Sequence, residues 1–280
     1  MVAGERGRVR RGLLIYFGLS MLVAWVLIPF AWMILTSIKP MEDVYRVPLE
    51  YIPRAPTLAN YAEILAISSF PRQFMNSAIV SISTAVFSVV LAALAGYGLS
   101  RFNFAGARLM ETFILMTQMF PGVLLVIPYF ILISKVGLFN TYPALIIAYT
   151  SFALPFSTWM LKGFFESVPR ELDEAAMVDG CSRLQAFTSI VVPVSLPGIV
   201  ATIIFSFILA WNEFLFALVL TSSDSMYPVT VGIASFIGQW RIAYETMMAA
   251  SVVATVPTIV LYMCLEKHLV QGLTAGAVKA

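Results

Sequence analysis

An all-α membrane protein of six transmembrane helices, with a cytoplasmic loop of two short helices between the fourth and fifth, is the fold class this sequence predicts. Composition is the first of three observations behind it: of 280 residues, 60% are hydrophobic and only 11% charged, against about 25% charged in an ordinary soluble domain. Second, the apolar residues arrive in long uninterrupted runs. Third, one charged segment with strong helix signals separates two of those runs. A single transmembrane domain over 1–280 accommodates all of this. The formal charge of +2 is too small to point to nucleic acid. Cys181 and Cys264 are the two cysteines and lack C-x-x-C spacing, so neither a disulfide framework nor a metal site is expected.

A hydrocarbon core about 30 Å thick takes about 20 apolar helical residues to cross. Six runs qualify, over 13–38, 76–100, 109–134, 142–165, 198–221 and 246–265. Arg6, Arg8, Arg10 and Arg11 precede the first, in an amino-terminal segment 1–12; the run is longer than a signal h-region and no small-residue cleavage pattern follows it, so a retained anchor is expected. Six crossings put both termini on one side. If that side is cytoplasmic it collects eleven Lys and Arg and the other side six, which favours this orientation in the cell membrane. The outer segments are 39–75, rich in proline and read as irregular, a turn around 137–140, and 222–245. Trp240 and Arg241 in the last of these are candidates for meeting a solute-binding partner or for interfacial anchoring. Residues 266–280 form a small, glycine-containing cytoplasmic tail.

The cytoplasmic loop 166–197 carries the most local information. Pro169 suits a first helical turn, and Glu171, Asp173 and Glu174 then lie near the positive end of the helix dipole. Leu172, Ala175, Ala176 and Asp179 fall at i, i+3, i+4 and i+7, a narrow face of small and apolar groups beside carboxylates. Gly180 is placed to be a left-handed cap. Ser182 and Gln185 make a capping box for a second helix with an apolar face of Leu184, Phe187, Ile190 and Val191, ended by Pro193 and Pro197. Two short helices joined to spans at both ends make a lever.

These residues also carry a resemblance. Glu174-Ala175-Ala176, Gly180, Ile190 and Leu196-Pro197 resemble the EAA loop of binding-protein-dependent ABC importer permeases. Three further segments resemble the carbohydrate, maltose-type branch: Ala210-Trp211-Asn212-Glu213-Phe214-Leu215-Phe216-Ala217, Phe120-Pro121-Gly122, and the tail from Gly272 to Lys279. The likeness covers essentially the whole chain. It implies that 166–197 is a coupling-helix loop docking into a separate ATPase subunit, with Glu174, Ala175, Ala176, Asp179 and Gly180 as its contact residues. It implies that Gln271, Gly272, Thr274 and Gly276 reach the ATPase interface. It further implies two ATP-binding subunits holding ATP and Mg, a second and non-identical permease, an extracytoplasmic sugar-binding protein, and import of a di- or oligosaccharide.

Within the membrane, Glu213 is the ionisable residue that stands out, because a carboxylate in mid-span costs roughly 2.5–3.5 kcal/mol on insertion scales. With Asn212 and Trp211 it could bind sugar hydroxyls and stack on a ring; equally, Asn212 or Glu213 could bond another helix of the bundle. Phe120 and Tyr129 are further pathway candidates, with packing as the competing reading, as for Trp159. Pro121-Gly122, Pro128 and Pro155 should bend the third and fourth spans. His268, the single histidine, sits in the tail and is read as solvated. No G-x-x-x-x-G-K-[ST], H-E-x-x-H or nucleophile dyad occurs, so the chain is not expected to be an enzyme and needs no cofactor of its own. The rival class is a secondary transporter using Glu213 as an ion site; a bare membrane scaffold is the third.

Overall fold

The computed structural model describes residues 2–66, 69–238 and 242–277, with side chains described between Gly12 and Cys264. In chain order the helices are α1 (Val2–Ser37), α2 (Met41–Val44), α3 (Ala59–Ala66), α4 (Phe70–Arg101), α5 (Ala107–Thr117), α6 (Gly122–Lys135), α7 (Tyr142–Ser167), α8 (Arg170–Val178) and α9 (Arg183–Ala186). After a π turn at Phe187–Val191 come α10 (Val192–Val194), α11 (Leu196–Trp211), α12 (Leu215–Leu220), α13 (Val229–Ser235) and α14 (Tyr244–Ala277). Among the described residues the only β pairing is one isolated bridge, Ile237 with Ile242. The chain divides into a unit of residues 1–68 and 233–254 and a second of 69–232 and 255–280.

In the first unit, α1 is apolar from Gly12 to Ser37; its 18-residue hydrophobic window has no buried residue, and burial begins only at Thr36 and Ser37. The end of α1 nearest α2 is fastened by a buried lysine. Lys39 donates through Nζ to the Glu50 carbonyl at 2.5 Å and lies 4.6 Å from the Trp32 ring centroid. Asn60 Nδ2 donates to the carbonyls of Ser37 and Lys39, both at 2.8 Å. The proline-rich stretch read as irregular is therefore organised around the end of α1, and contains α2 and α3.

In the second unit, α4 and α7 form the centre, with 44% and 50% of their apolar windows buried. They approach closely at Gly96, where a β-carbon would stand 3.0 Å from the Lys162 backbone nitrogen. Buried Val89, Ala92, Leu161, Phe165, Phe187 and Val191 pack together where α4 and α7 meet the loop 166–197. Gly198 lies under the Phe164 ring, 2.2 Å from Cγ for an added methyl. Gly198→Ala is therefore expected to cost about 1–3 kcal/mol by overpacking, seen as a lower unfolding temperature of the detergent-solubilised protein.

Four of the six expected crossings are continuous helices; two are not. The second begins at Phe70 rather than 76, because Gln73 and Asn76 are polar yet buried and bonded: Asn76 Nδ2 donates to the Ser225 and Tyr227 carbonyls, both at 2.9 Å. The expected third span, 109–134, is instead α5 and α6 meeting at 96°. Pro121 is extended and has no N–H to continue a ladder, so the chain turns there. Pro155, by contrast, sits inside an unbroken α7. The expected fifth span, 198–221, breaks at 212–214. Its longer piece, α11, has 16 residues, about 24 Å by helix rise, so α12 is needed to complete a crossing of about 30 Å.

Candidate functional site

The loop after α7 is built from local signals. α8 ends in a Schellman arrangement: the Cys181 N–H donates to the Ala176 carbonyl at 3.0 Å, and the Gly180 N–H to Met177 at 3.2 Å. This needs a left-handed residue, and Gly180 has φ +92°. The capping box is present in both directions, with Ser182 N–H to Gln185 Oε1 at 2.7 Å and Gln185 N–H to Ser182 Oγ at 3.3 Å. Pro169 takes the N-cap position rather than the first turn. Pro193 does not end the second helix; the widened π turn ahead of it makes room for a ring that would otherwise meet the Ser189 carbonyl. The sharp bend, 80°, comes instead between Val194 and Leu196.

What holds the loop is a cluster that local patterns did not reveal. Arg101, at the end of α4, spreads its guanidinium over three acceptors: Nε to Asp173 Oδ2 at 2.5 Å, Nη1 to the Phe165 carbonyl at 2.9 Å and Nη2 to the Val168 carbonyl at 3.1 Å. The two charged side chains are 6% and 8% exposed. Arg170 returns a bond to the Ser100 carbonyl at 2.8 Å. One residue thus caps the last carbonyls of α7 and binds the first turn of α8 to α4. Beside it Tyr97 lies 4.5 Å from Phe187 between ring centroids, Phe165 lies 5.7 Å from Phe187, and Arg183 sits over Phe102 at 5.2 Å. Lys162 adds ion pairs to Glu166 at 2.8 Å and Glu111 at 3.3 Å.

This anchorage decides which face of α8 is outward. Asp173 and Ala176 turn inward, so Ala176 packs within the chain instead of joining the expected small-residue face. Leu172, Glu174, Ala175, Val178 and Asp179 are left exposed, with Val178 at 86%. In the second helix, likewise, Leu184 points outward, while Ala186, Phe187 and Val191 are buried. The π turn shifts the register that a regular helix would have kept.

The membrane candidates do not form one cluster. Trp211 is buried, stacked on Phe207 at 5.5 Å and edge-on to Phe74 at 5.3 Å. Asn212 bonds its own helix, donating from Nδ2 to the Ile208 carbonyl at 2.8 Å. Glu213 caps α12, accepting from the Phe216 and Ala217 N–H groups at 2.9 and 3.0 Å. Asn212 does not make the cross-bundle bond weighed as an alternative, whereas the Glu213 carboxylate also faces the buried Tyr149 of α7 and interacts with it. Tyr129 joins this region indirectly, packing on Phe216 at 5.4 Å and Phe152 at 5.7 Å, with its hydroxyl 2.5 Å from Ser151 Oγ. Phe120 is apart at the α5–α6 bend and 62% exposed.

The tail continues the last helix, as α14 runs to Ala277. The side chains of Gln271, Gly272, Thr274 and Gly276, and of His268, lie outside the described residues, as do Trp240, Arg241, Val278 and Lys279.

Residues 88–275 match the family described as binding-protein-dependent transport system inner membrane component. The chain belongs to that family. The match takes in Arg101, the whole loop, the break at 212–214 and most of the tail. The chain is 39% identical over 278 residues to the trehalose/maltose transport system permease protein MalG of Thermococcus litoralis, covering 98% of this chain and 99% of that one. It is 38% identical over 262 residues to the trehalose transport system permease protein SugB of Mycobacterium tuberculosis, covering 93% and 95%. Its fold is similar to a chain in the crystal structure of a bacterial ABC transporter that imports the acidic polysaccharide alginate, with a TM-score of 0.82 at 21% identity over 94% of this chain and 98% of that chain.

Proposed function

We propose that this chain is the transmembrane permease subunit of an ATP-driven importer that moves a di- or oligosaccharide into the cytoplasm by alternating access. The observation that carries this reading is the geometry of 166–197: an exposed face of Leu172, Glu174, Ala175, Val178 and Asp179 on a loop bolted through Arg101 to α4 and α7. A docking face on a loose loop would absorb a push; one on a buried ion pair passes it on. The sugar assignment leans on what the relatives are described as carrying, trehalose and maltose among them.

The assembly has two ATP-binding subunits, which hold ATP and Mg, a second and non-identical permease, and an extracytoplasmic sugar-binding protein. Both termini face the cytoplasm. Glu174 meets a basic residue of the ATPase, Ala175 and Asp179 lie in the contact, and Gly180 keeps the turn compact. Gln271, Gly272, Thr274 and Gly276 extend α14 toward the ATPase pair. Trp211, Asn212, Glu213, Phe120 and Tyr129 shape the pathway from within the wall. The exposed hydrophobic window of α1 fits a chain working beside lipid and a second permease.

The test is reconstitution of the chain with its co-purifying ATPase, second permease and binding protein in vesicles. Uptake of labelled trehalose or maltose that requires internal ATP is the expected result. Uptake driven by a proton or sodium gradient without ATPase subunits overturns it in favour of a secondary transporter.

A further inference from the structure

Glu213 stands where the fifth crossing breaks; its carboxylate faces the buried Tyr149 of α7 and accepts from the backbone on the far side of that break. Oε1 accepts the Phe216 N–H at 2.9 Å and Oε2 the Ala217 N–H at 3.0 Å. Its own carbonyl accepts Thr230 Oγ1 at 2.7 Å, tying the break to α13. On the other side Asn212 covers the Ile208 carbonyl, which also accepts the Asn212 N–H at 3.1 Å. A helix interrupted inside hydrocarbon frees N–H and C=O groups that no water can satisfy. The carboxylate supplies two charge-assisted acceptors where two freed donors emerge.

The two halves it joins are held by different parts of the chain. α11 leads back through Ser195 into the loop 166–197: the Ser195 N–H donates to Val191 at 2.9 Å and the Ile199 N–H to Ser195 at 3.1 Å. α12 is pinned at its other end, where the Asn140 N–H donates to the Leu220 carbonyl at 2.9 Å and Asn140 Oδ1 accepts the Ser222 and Ser223 N–H groups at 2.9 and 3.3 Å. Asp224, next along, takes bonds from Ser69 and from Gln73, the latter at 2.7 Å. The break therefore lies between a half continuous with the lever and a half fastened to the opposite end of the bundle.

We infer that Glu213 is a positioning residue for transport: it caps α12 and thereby turns the break into a defined joint, so that α11 moves with the loop while α12 and α13 keep their place. This rests on the importer reading above and adds a role to it. Glu213 acts through the backbone of 216–217, and sugar recognition is not its task. A joint that has lost its cap still lets the loop be pushed, and the push no longer reaches the outer half.

The experiment uses the assembled transporter in vesicles, with Glu213→Ala, Glu213→Gln and Thr230→Val. In Glu213→Ala, uptake is expected to fall about tenfold or more, the scale of one lost charge-assisted hydrogen bond, while sugar-stimulated ATP hydrolysis persists and the apparent KM for sugar-loaded binding protein is unchanged. Glu213→Gln retains one acceptor and should be intermediate. Thr230→Val, which leaves the carboxylate in place, should show a smaller loss of the same kind. Amide hydrogen exchange at Phe216 and Ala217 should speed up in Glu213→Ala. A raised KM with an unchanged ratio of ATP hydrolysed to sugar moved overturns the inference in favour of a sugar ligand. Wild-type uptake and exchange in Glu213→Ala overturns it outright. If the wild-type assembly moves no sugar with ATP, the importer reading fails, yet the exchange at Phe216 and Ala217 still tests the cap.

Discussion

Replacing Arg101 with methionine is expected to abolish ATP-driven uptake while leaving the chain inserted in the membrane. The substitution removes three bonds at once, to Asp173 at 2.5 Å and to the Phe165 and Val168 carbonyls at 2.9 and 3.1 Å. It also strands a carboxylate that is 8% exposed. Breaking a buried pair by removing one partner costs about 3–5 kcal/mol, whereas an exposed pair is worth about 0–1 kcal/mol. The cost falls on the joint between α8 and α4, because the apolar contacts of α4 with α7 are untouched. Asp173 would then leave its pocket for water, taking the first turn of α8 with it. Protease sensitivity of 166–197, ATPase stimulation and uptake should change together. Arg101→Lys should rescue little, since an ammonium has no planar fork to reach acceptors on two elements. Arg101→Met combined with Asp173→Ala should be less damaging than Arg101→Met alone, because the stranded charge is gone. Normal uptake in Arg101→Met would show that the lever is held by something else.

The contrast between Arg101 and Gly180 shows what could be read from the chain alone. Gly180, Ser182 and Gln185 act on neighbours within five residues, so spacing was enough to place the left-handed turn and the capping box. Arg101 and Asp173 are 72 positions apart, and each has an ordinary local explanation, one as a charge at a span end and the other as a carboxylate in a first helical turn. The crossings divide in the same way. Hydropathy finds runs, and it found α1, α4, α7 and α14; it averages over direction, so a 96° turn at Pro121 left the third run looking whole. The proline there did signal a bend, though not one so sharp. Nothing in Trp211–Asn212–Glu213 marked a break. A carboxylate in an apolar run was read for its charge, while its use is to accept the N–H groups that the break itself exposes.

A bulky residue at Gly180, or alanine at Glu174, should separate transport from assembly in the opposite manner to Arg101→Met: the loop stays folded and its docking fails. Gly180 has φ +92° with nothing within 4 Å of an added β-carbon. The fold therefore loses only the left-handed backbone preference, about 1–2 kcal/mol, and no clash arises inside the chain. Any side chain there projects from the turn that presents Val178 and Asp179, so the steric penalty appears when a partner closes on that surface. Gly180→Asn keeps the backbone preference low and adds bulk, which makes it the cleaner variant. Glu174 is exposed and bonds to no side chain among the described residues, so Glu174→Ala leaves 166–197 as protected from protease as in the wild type. Loss of a charge-assisted contact of about 1.5–3 kcal/mol should weaken capture of the ATPase roughly ten- to a hundredfold, measured by titrating ATPase onto the solubilised permease pair. Glu174→Gln should recover part of this, because an amide still accepts a hydrogen bond. Equal ATPase affinity in Glu174→Ala and Gly180→Asn would move the docking surface off α8, even though the Arg101 joint behind it were real.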